Sequence, residues 1–229
     1  MEKKQIYETD KECPLCEETF KVTRTRVGLR MVSMDTDFRM KYEGVDPYLY
    51  VVWVCPHCGY ATPDSAFGPL SDNEKAILQK ALQGKKVGVK LEGERTAEQA
   101  LVSYKLAIYF GELRQLHPSQ LAGLYLKMAW LSGDQGDKDM QQTCLSKAVE
   151  NYMEAYSTER FPIGKMTENT LGYLIANLLD RLGKYEEAAK WLGKVVNQRN
   201  SGEAKIQEMA RDLWHSLKGK RAQAAGDGQ

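Results

Sequence analysis

Two Cys-Pro-x-Cys pairs, Cys13-Pro14-Leu15-Cys16 and Cys55-Pro56-His57-Cys58-Gly59, restrict the folds open to this chain more than any other feature. Each pair sets two thiols on one short bend, and two such bends supply the four thiolates of a closed tetrahedral metal site. Pro at the second position preforms the bend, and Gly59 supports the positive φ on which the second one ends. Thirty-eight residues separate Cys16 from Cys55, ample for a hairpin with an extended loop. The expected ligands are therefore Cys13, Cys16, Cys55 and Cys58 around a structural Zn2+, with iron in the same thiolate cage as the alternative. Four sulfurs leave no position for a water ligand, which disfavours metal-assisted hydrolysis.

Rival chemistries find less support. Cys55-Pro56-His57-Cys58 alone matches the active-site tetrapeptide of an oxidising disulfide oxidoreductase, whose first thiolate needs a helix N-terminus. Here Gly59, Pro63 and Gly68 follow directly, so no long helix starts there. His57 lies between two ligands and is expected to face solvent. Cys144 stands alone in a helical stretch and reads as a small buried apolar residue. His117 and His215 have no nucleophile beside them in any motif and are expected on helix surfaces or ends. Gly84 to Gly93 lacks the Lys-Ser/Thr ending of a phosphate loop and reads as a polar loop or small hairpin.

The composition fits a chain of one or two packed domains: 229 residues, 42% hydrophobic, with a formal charge of +1. So balanced a charge argues against holding nucleic acid by bulk electrostatics. The N-terminus, MEKKQIYETDKE, has no apolar core of a signal peptide, and no run approaches the ~18 apolar residues of a membrane helix. A cytoplasmic setting is expected, where paired cysteines hold metal more often than they form disulfides.

The periodicity changes near residues 59–71. Before it, Phe20 to Val27 and Tyr48 to Val54 are runs of β-branched and aromatic residues that predict strands, with a turn at Gly44 and Asp46-Pro47 between them. Tyr60 to Leu70 carries Pro63, Gly68 and Pro69 and reads as a linker. After Ser71 the period is 3.6. Ser71 to Glu74 and Thr96 to Gln99 are capping boxes, and the apolar segment Ala97 to Leu113 predicts a helix buried on two sides. Continuous apolar stripes run through Leu145 to Tyr156, Leu171 to Leu182, Tyr185 to Val196 and Ile206 to Leu217.

The helices also repeat. Leu182-Gly183-Lys184-Tyr185-Glu186-Glu187-Ala188 followed by Leu192 is similar to the turn and second helix of a tetratricopeptide repeat. Ala100, Tyr104, Ala107 and Gln141, Leu145, Ala148 repeat the spacing of Ala188, Leu192, Val195 at offsets of 41 and 47 residues. Those offsets exceed the usual ~34, so an irregular α-solenoid and an ordinary helical bundle both stay open. The expected fold is α+β: a small N-terminal zinc-ribbon β domain (residues 1–70), an all-α tetratricopeptide-like helical domain (71–218) and a disordered tail (219–229).

Several longer motifs accompany the Cys pairs: Asp35-Thr36-Asp37-Phe38, Tyr42 to Asp46, Val54 to Tyr60, Gly93-Glu94-Arg95-Thr96, Ser103 to Ala107, Gly164 to Glu168 and Ala210 to Trp214. In these the chain resembles, over nearly its whole length, a family of uncharacterised bacterial proteins known as a domain of unknown function. Some members carry Cys where this chain has Arg39, so no fifth thiol joins the site here. The resemblance implies a cytosolic bacterial protein with an N-terminal zinc ribbon and tetratricopeptide-like helices. It implies no reaction, substrate or catalytic residue.

The role expected is a non-enzymatic adaptor whose helices hold a protein or peptide partner, with the ribbon as a rigid cap or second contact. Tyr104, Tyr125, Trp130 and Tyr173 are candidates to line such a groove, and each also fits the core. The alternative is a ribbon that binds nucleic acid through Lys21, Arg24, Arg26 and Arg30. Glu17, Glu18, Asp35 and Asp37 lie near that cluster in sequence, and stacking aromatics are not interleaved with it. No membrane partner is expected.

Overall fold

The computed structural model describes residues 5–84, 91–197 and 203–226. Its N-terminal part is built from three antiparallel two-stranded ribbons. Strand β1 (Ile6–Glu12) pairs with β2 (Thr19–Thr25), from Ile6 opposite Thr25 to Glu12 opposite Thr19. Strands β3 (Met31–Met34) and β4 (Met40–Tyr42) form a short arm, and β5 (Val52–Val54) pairs with β6 (Ala61–Pro63). The first and third ribbons each end in one of the Cys pairs, and the arm is the segment inserted between them.

Two sequence expectations need correction here. Tyr48 to Val54 is not one strand: Pro47–Tyr50 is a 3-10 turn, and only Val52–Val54 is extended. The Asp46 carboxylate accepts from Tyr48 N–H at 2.9 Å and Pro47 fixes φ, which together favour the turn over β propensity. The segment Tyr60 to Leu70 is not a linker either. Ala61–Pro63 is β6, with Pro63 at its end where no ladder donor is needed, and Tyr60, Ala61, Thr62 and Leu70 are buried. Phe67 fills the space beneath, its ring 5.8, 5.4 and 5.9 Å from those of Phe20, Trp53 and Tyr60.

Seven α-helices follow among the described residues: α1 (Asp72–Leu82), α2 (Ala97–Leu113), α3 (Pro118–Asp134), α4 (Lys138–Thr158), α5 (Glu168–Arg181), α6 (Tyr185–Asn197) and α7 (Ala204–Gly226). Both predicted capping boxes are formed, by Ser71 with Glu74 and by Thr96 with Gln99; each such cap is worth about 1 kcal/mol. From α2 onward each helix packs on the next in sequence order. The repeated small and apolar positions Ala100, Tyr104 and Ala107, Leu145 and Ala148, and Ala188, Leu192 and Val195 are all buried. Gly172 of α5 lies where a Cβ would stand 3.0 Å from a Val195 methyl, so the missing side chain sets how closely α5 and α6 approach.

Helix α2 lies against β5 and β6 on one side and α3 on another, as its apolar composition predicts, while Val102 and Tyr109 stay exposed. Residues 85–90 of the expected Gly84–Gly93 loop lie outside the described residues. Beyond them, Leu91 is buried and Gly93 N–H donates to Thr23 Oγ1 at 2.8 Å. The tail expected to be disordered from 219 is helical as far as Gly226. Leu217 is buried, Lys220 Nζ sits 2.7 Å from both Asp180 oxygens, and the Ala-, Gln- and Lys-rich composition favours helix. Residues 227–229 lie outside the described residues.

The two halves share one hydrophobic cluster that includes Cys13, Phe20, Val54 and Tyr60 together with Phe110, Trp130 and Tyr173. Tyr104 OH donates to the Tyr48 carbonyl at 2.8 Å across the boundary. Arg95 reinforces it from the start of α2, its guanidinium reaching the carbonyls of Leu49, Val52 and Leu91 at 3.3, 2.7 and 3.3 Å. Burial lowers the Arg95 pKa to about 10.

Candidate metal centre

Each Cys pair is the turn of a hairpin. Cys13 N–H donates to Glu18 O at 3.0 Å and Glu17 N–H to Cys13 O at 2.9 Å, just beyond the Glu12–Thr19 pair. Cys55 N–H donates to Tyr60 O at 2.9 Å and Gly59 N–H to Cys55 O at 2.8 Å, just beyond the Val54–Ala61 pair. The two knuckles thus share one backbone pattern. Both place the residue after the second Cys at positive φ, 82° for Gly59 and 64° for Glu17. Glycine takes that conformation freely, whereas Glu17 adopts it at a cost that the hairpin bonds must offset.

The knuckles bring all four Sγ atoms within 4.8 Å of one another. Cys13 Sγ lies 3.7 Å from Cys58 Sγ, and Cys16 Sγ 3.7 Å from Cys55 Sγ. A disulfide needs about 2.05 Å between sulfurs, so these are four free thiols. Four sulfurs at ~2.3 Å from one tetrahedral centre stand about 3.8 Å apart along each edge. Two edges, at 3.7 Å, match that spacing, the others lie within 4.8 Å, and the donor set fits a soft or borderline divalent cation. Cys13 and Cys55 are fully buried while Cys16 and Cys58 keep some exposure.

Crowding the thiols this closely splits the acidities of Cys13, Cys55 and Cys58. Cys55 is held far below the ordinary thiol range by hydrogen bonds from Cys13 and then Cys58. Cys13 is pushed up to about 12, first by Cys55, and Cys58 is pushed up by Cys13 and Cys55. One thiolate thus opposes ionisation of its neighbours, and a central divalent cation is what reverses that opposition. The four cysteines therefore form a cluster able to hold a metal ion.

The remaining candidates fall where the sequence suggested. His57 is exposed, His117 precedes the first turn of α3 and His215 is exposed on α7. Cys144 is buried in α4, which raises its pKa to about 11. Strand β6 rather than a helix follows Cys58. Among the groove candidates, Tyr104, Trp130 and Tyr173 are buried, and half-buried Tyr125 bonds Glu112 at 3.2 Å.

Of the basic cluster, Lys21, Arg24 and Arg30 face Glu8, Asp64 and Glu43 at 3.9, 3.9 and 3.1 Å. No aromatic is interleaved with it in sequence, but rings from other strands lie beneath two of its members: Arg24 over Trp53 at 5.4 Å and Arg26 over Tyr7 at 5.4 Å. Tyr7 and Trp53 lie away from the cluster in sequence, on β1 and β5, so only the folded arrangement reveals them.

Sequence reasoning missed a second polar centre. Asp37, at the tip of the β3–β4 arm, accepts from Trp130 Nε1 at 2.7 Å and from the Arg181 guanidinium. Arg39 reaches Asp134 of α3 through both terminal nitrogens, at 2.8 and 2.5 Å, and Asp46 at 3.4 Å. Burial works against the Arg39 charge, but Asp134 and Asp46 more than offset it and leave its pKa raised. The Asp35-Thr36-Asp37-Phe38 motif was visible in the sequence; its partners, some 90 to 140 residues away, were not.

Fold and site together define an α+β protein with a four-cysteine cluster on paired β-knuckles, joined to a run of consecutively packed helices. The chain belongs to the family described as "uncharacterized protein conserved in bacteria" (DUF2225), whose model matches residues 6–217. It is also similar to an uncharacterized protein of Borreliella burgdorferi, 28% identical over 113 residues. That match covers 42% of this chain and 40% of the relative. No solved structure matches significantly. No helix among the described residues is long and apolar enough to cross a membrane.

Proposed function

We propose that this chain is a zinc-binding, non-enzymatic adaptor in which Cys13, Cys16, Cys55 and Cys58 hold one structural Zn2+ and the helices bind a protein or peptide. The observation that carries the reading is the cage itself: two matched knuckles with two sulfur–sulfur edges of 3.7 Å, a donor set that by itself completes the four-coordinate shell of a structural zinc. The metal would fix the two hairpins against each other, and through Tyr60 and Phe110, whose rings are 5.6 Å apart, against α2. Ligation of this kind is worth roughly 10–16 kcal/mol in small zinc domains, enough to decide whether three two-stranded ribbons fold.

The adaptor role draws on the helices. Sequence-adjacent packing from α2 to α7, with small and apolar residues buried at repeated positions, supports an irregular tetratricopeptide-like solenoid. Such stacks leave a long face free for a partner. Affinity capture from a bacterial lysate with the intact chain and with Cys13→Ser/Cys55→Ser tests this: a specific protein retained by the intact chain is expected. Repeated recovery of none speaks against the adaptor.

Nucleic-acid binding is the second reading, resting on the mostly exposed basic cluster Lys21, Arg24, Arg26 and Arg30, with the exposed ring of Tyr7 beneath Arg26. It requires binding of mixed DNA or RNA that weakens steeply with salt and with Arg24→Ala/Arg26→Ala. Unchanged mobility of both nucleic acids at low salt removes it.

A further inference from the structure

The arm that carries Asp37 is built unlike the rest of the fold. Its ends are Gly28 and Gly44, at φ 81° and 84°. At Gly44 a Cβ would meet the Gln5 amide that bonds Glu43 O and Val45 N, so a side chain there would displace that amide. Among the described residues β3 and β4 pair only with each other, and Met31, Val32 and Met40 are exposed. A lone two-stranded ribbon is marginal in water. This one has the Gln5 bonds at its base and a Met40 N–H bond to Tyr48 OH at 3.2 Å, and its contacts with the helices are made at the tip.

The tip, Thr36 to Arg39, stands between α3 and α5. Its turn is closed by Phe38 N–H to Asp35 O at 3.0 Å and Asp35 N–H to Arg39 O at 2.8 Å, with Phe38 at φ 65°. The helices meet it with a complementary set of groups. Trp130 Nε1 and Arg181 donate to Asp37, and Tyr173 OH donates to Thr36 O at 3.0 Å. Asp134 accepts from Arg39, and the Tyr173 ring lies 5.6 Å from that of Phe38. The fit is mainly polar and incomplete: Arg39 Nε, and Asn177 Oδ1 one turn beyond Tyr173, have no partner. Each ion pair joins a buried group of the arm to a partly exposed group of the helices, Asp37 with Arg181 and Arg39 with Asp134.

We propose that Trp130, Asp134, Tyr173 and Arg181 form a peptide-recognition site that the chain's own Asp37-Phe38-Arg39 turn occupies in cis. The arm is then a releasable plug, and the site's partner in trans is a protein segment presenting an aspartate–aromatic–arginine turn. This deepens the adaptor reading and rests on it for the partner's role. The closed form lowers apparent affinity for the outside segment by the fraction of molecules that are open.

Two measurements on the full chain test the plug. Native-state hydrogen exchange should show amides of residues 31–42 exchanging at least about tenfold faster than those of α3 and α5, as a locally opening unit does. A disulfide-closed peptide carrying the sequence of residues 34–40 should bind Asp37→Ala/Arg39→Ala at least about tenfold tighter than wild type. Adding Arg181→Ala to that variant should abolish the gain. Arm amides as slow as those of the two helices overturn the proposal. So does a variant with wild-type helix content that binds the peptide no tighter. If the variant does not fold, exchange in the wild type decides. The adaptor reading fails separately, when neither wild type nor variant captures a specific protein.

Discussion

Arg114 donates from Nη1 to Tyr60 OH at 2.8 Å, tying the last residue of the second knuckle's turn to the C-terminal cap of α2. The same guanidinium donates from Nε to Glu74 Oε1 at 2.8 Å, and Glu74 also completes the capping box of α1. One side chain therefore couples the cysteine cluster, α1 and α2. Replacing it with methionine keeps the stem and leaves the Tyr60 hydroxyl and the Glu74 carboxylate short of a partner. The expected loss is about 1–3 kcal/mol, read from denaturant unfolding. Arg114→Lys should recover only part of it, because one ammonium cannot reproduce the fork.

Glu74 gives this network a pH signature. Its pKa is drawn down to about 2 by the Ser71 N–H, by Arg114 and by the Ser71 hydroxyl, in that order. A folded-state pKa below the unfolded value near 4.5 means that the stabilisation is full above that value. It drains away as pH falls toward 2. The stability difference between wild type and Glu74→Gln should be constant above pH about 5 and shrink steadily below it. Any metal loss in acid affects both proteins, so the difference isolates the carboxylate. A difference independent of pH contradicts this role for Glu74.

Arg95 should resist conservative replacement. It reaches three backbone carbonyls around the Pro47–Tyr50 turn, β5 and the residues before α2, and stacks over Tyr50 with 5.7 Å to the ring centroid. A lysine at this site reaches fewer of them and leaves buried carbonyls unpaired, at about 1–3 kcal/mol. Thermal melts of Arg95→Lys should show a clear drop; an unchanged midpoint contradicts the staple.

Lys127 should behave in the opposite way. Among the described residues its amine bonds only the Gly123 carbonyl, at 3.1 Å, and burial lowers its pKa. In the window between the lowered and the unfolded value, the unfolded chain holds the extra proton, so stability rises with pH. Lys127→Met removes the desolvation cost and should stabilise the protein by about 1 kcal/mol at neutral pH. The gain should fade as the pH of the unfolding measurement is raised toward about 10. A destabilised variant shows instead that the amine is needed.

What the sequence disclosed follows from how local each signal is. The two Cys pairs, the capping boxes at Ser71 and Thr96 and the bounds of α2 rest on residues a few positions apart, and each was legible. The Pro47–Tyr50 turn was not, because the Asp46 cap competes with a run of aromatic and β-branched residues whose composition favours strand. Tyr60 to Leu70 is obscured for a related reason: Pro and Gly mark breaks, yet Phe67 and Tyr60 are what the knuckle packs on. The Asp37 and Arg39 contacts with α3 and α5, and Arg95 with its carbonyls, join distant segments through single polar groups. No periodicity announces them. At the cysteine cluster, spacing identified the four residues, and only folding shows that they close on one another with matched hairpin bonds.

Metal analysis of the purified chain, combined with X-ray absorption at the metal edge, tests the cage most directly. The expected result is one zinc per chain with four sulfur neighbours at about 2.3 Å, and cooperative unfolding when a strong chelator removes it. Fully folded protein without bound metal, its Cys13, Cys16, Cys55 and Cys58 thiols all reacting freely, contradicts it.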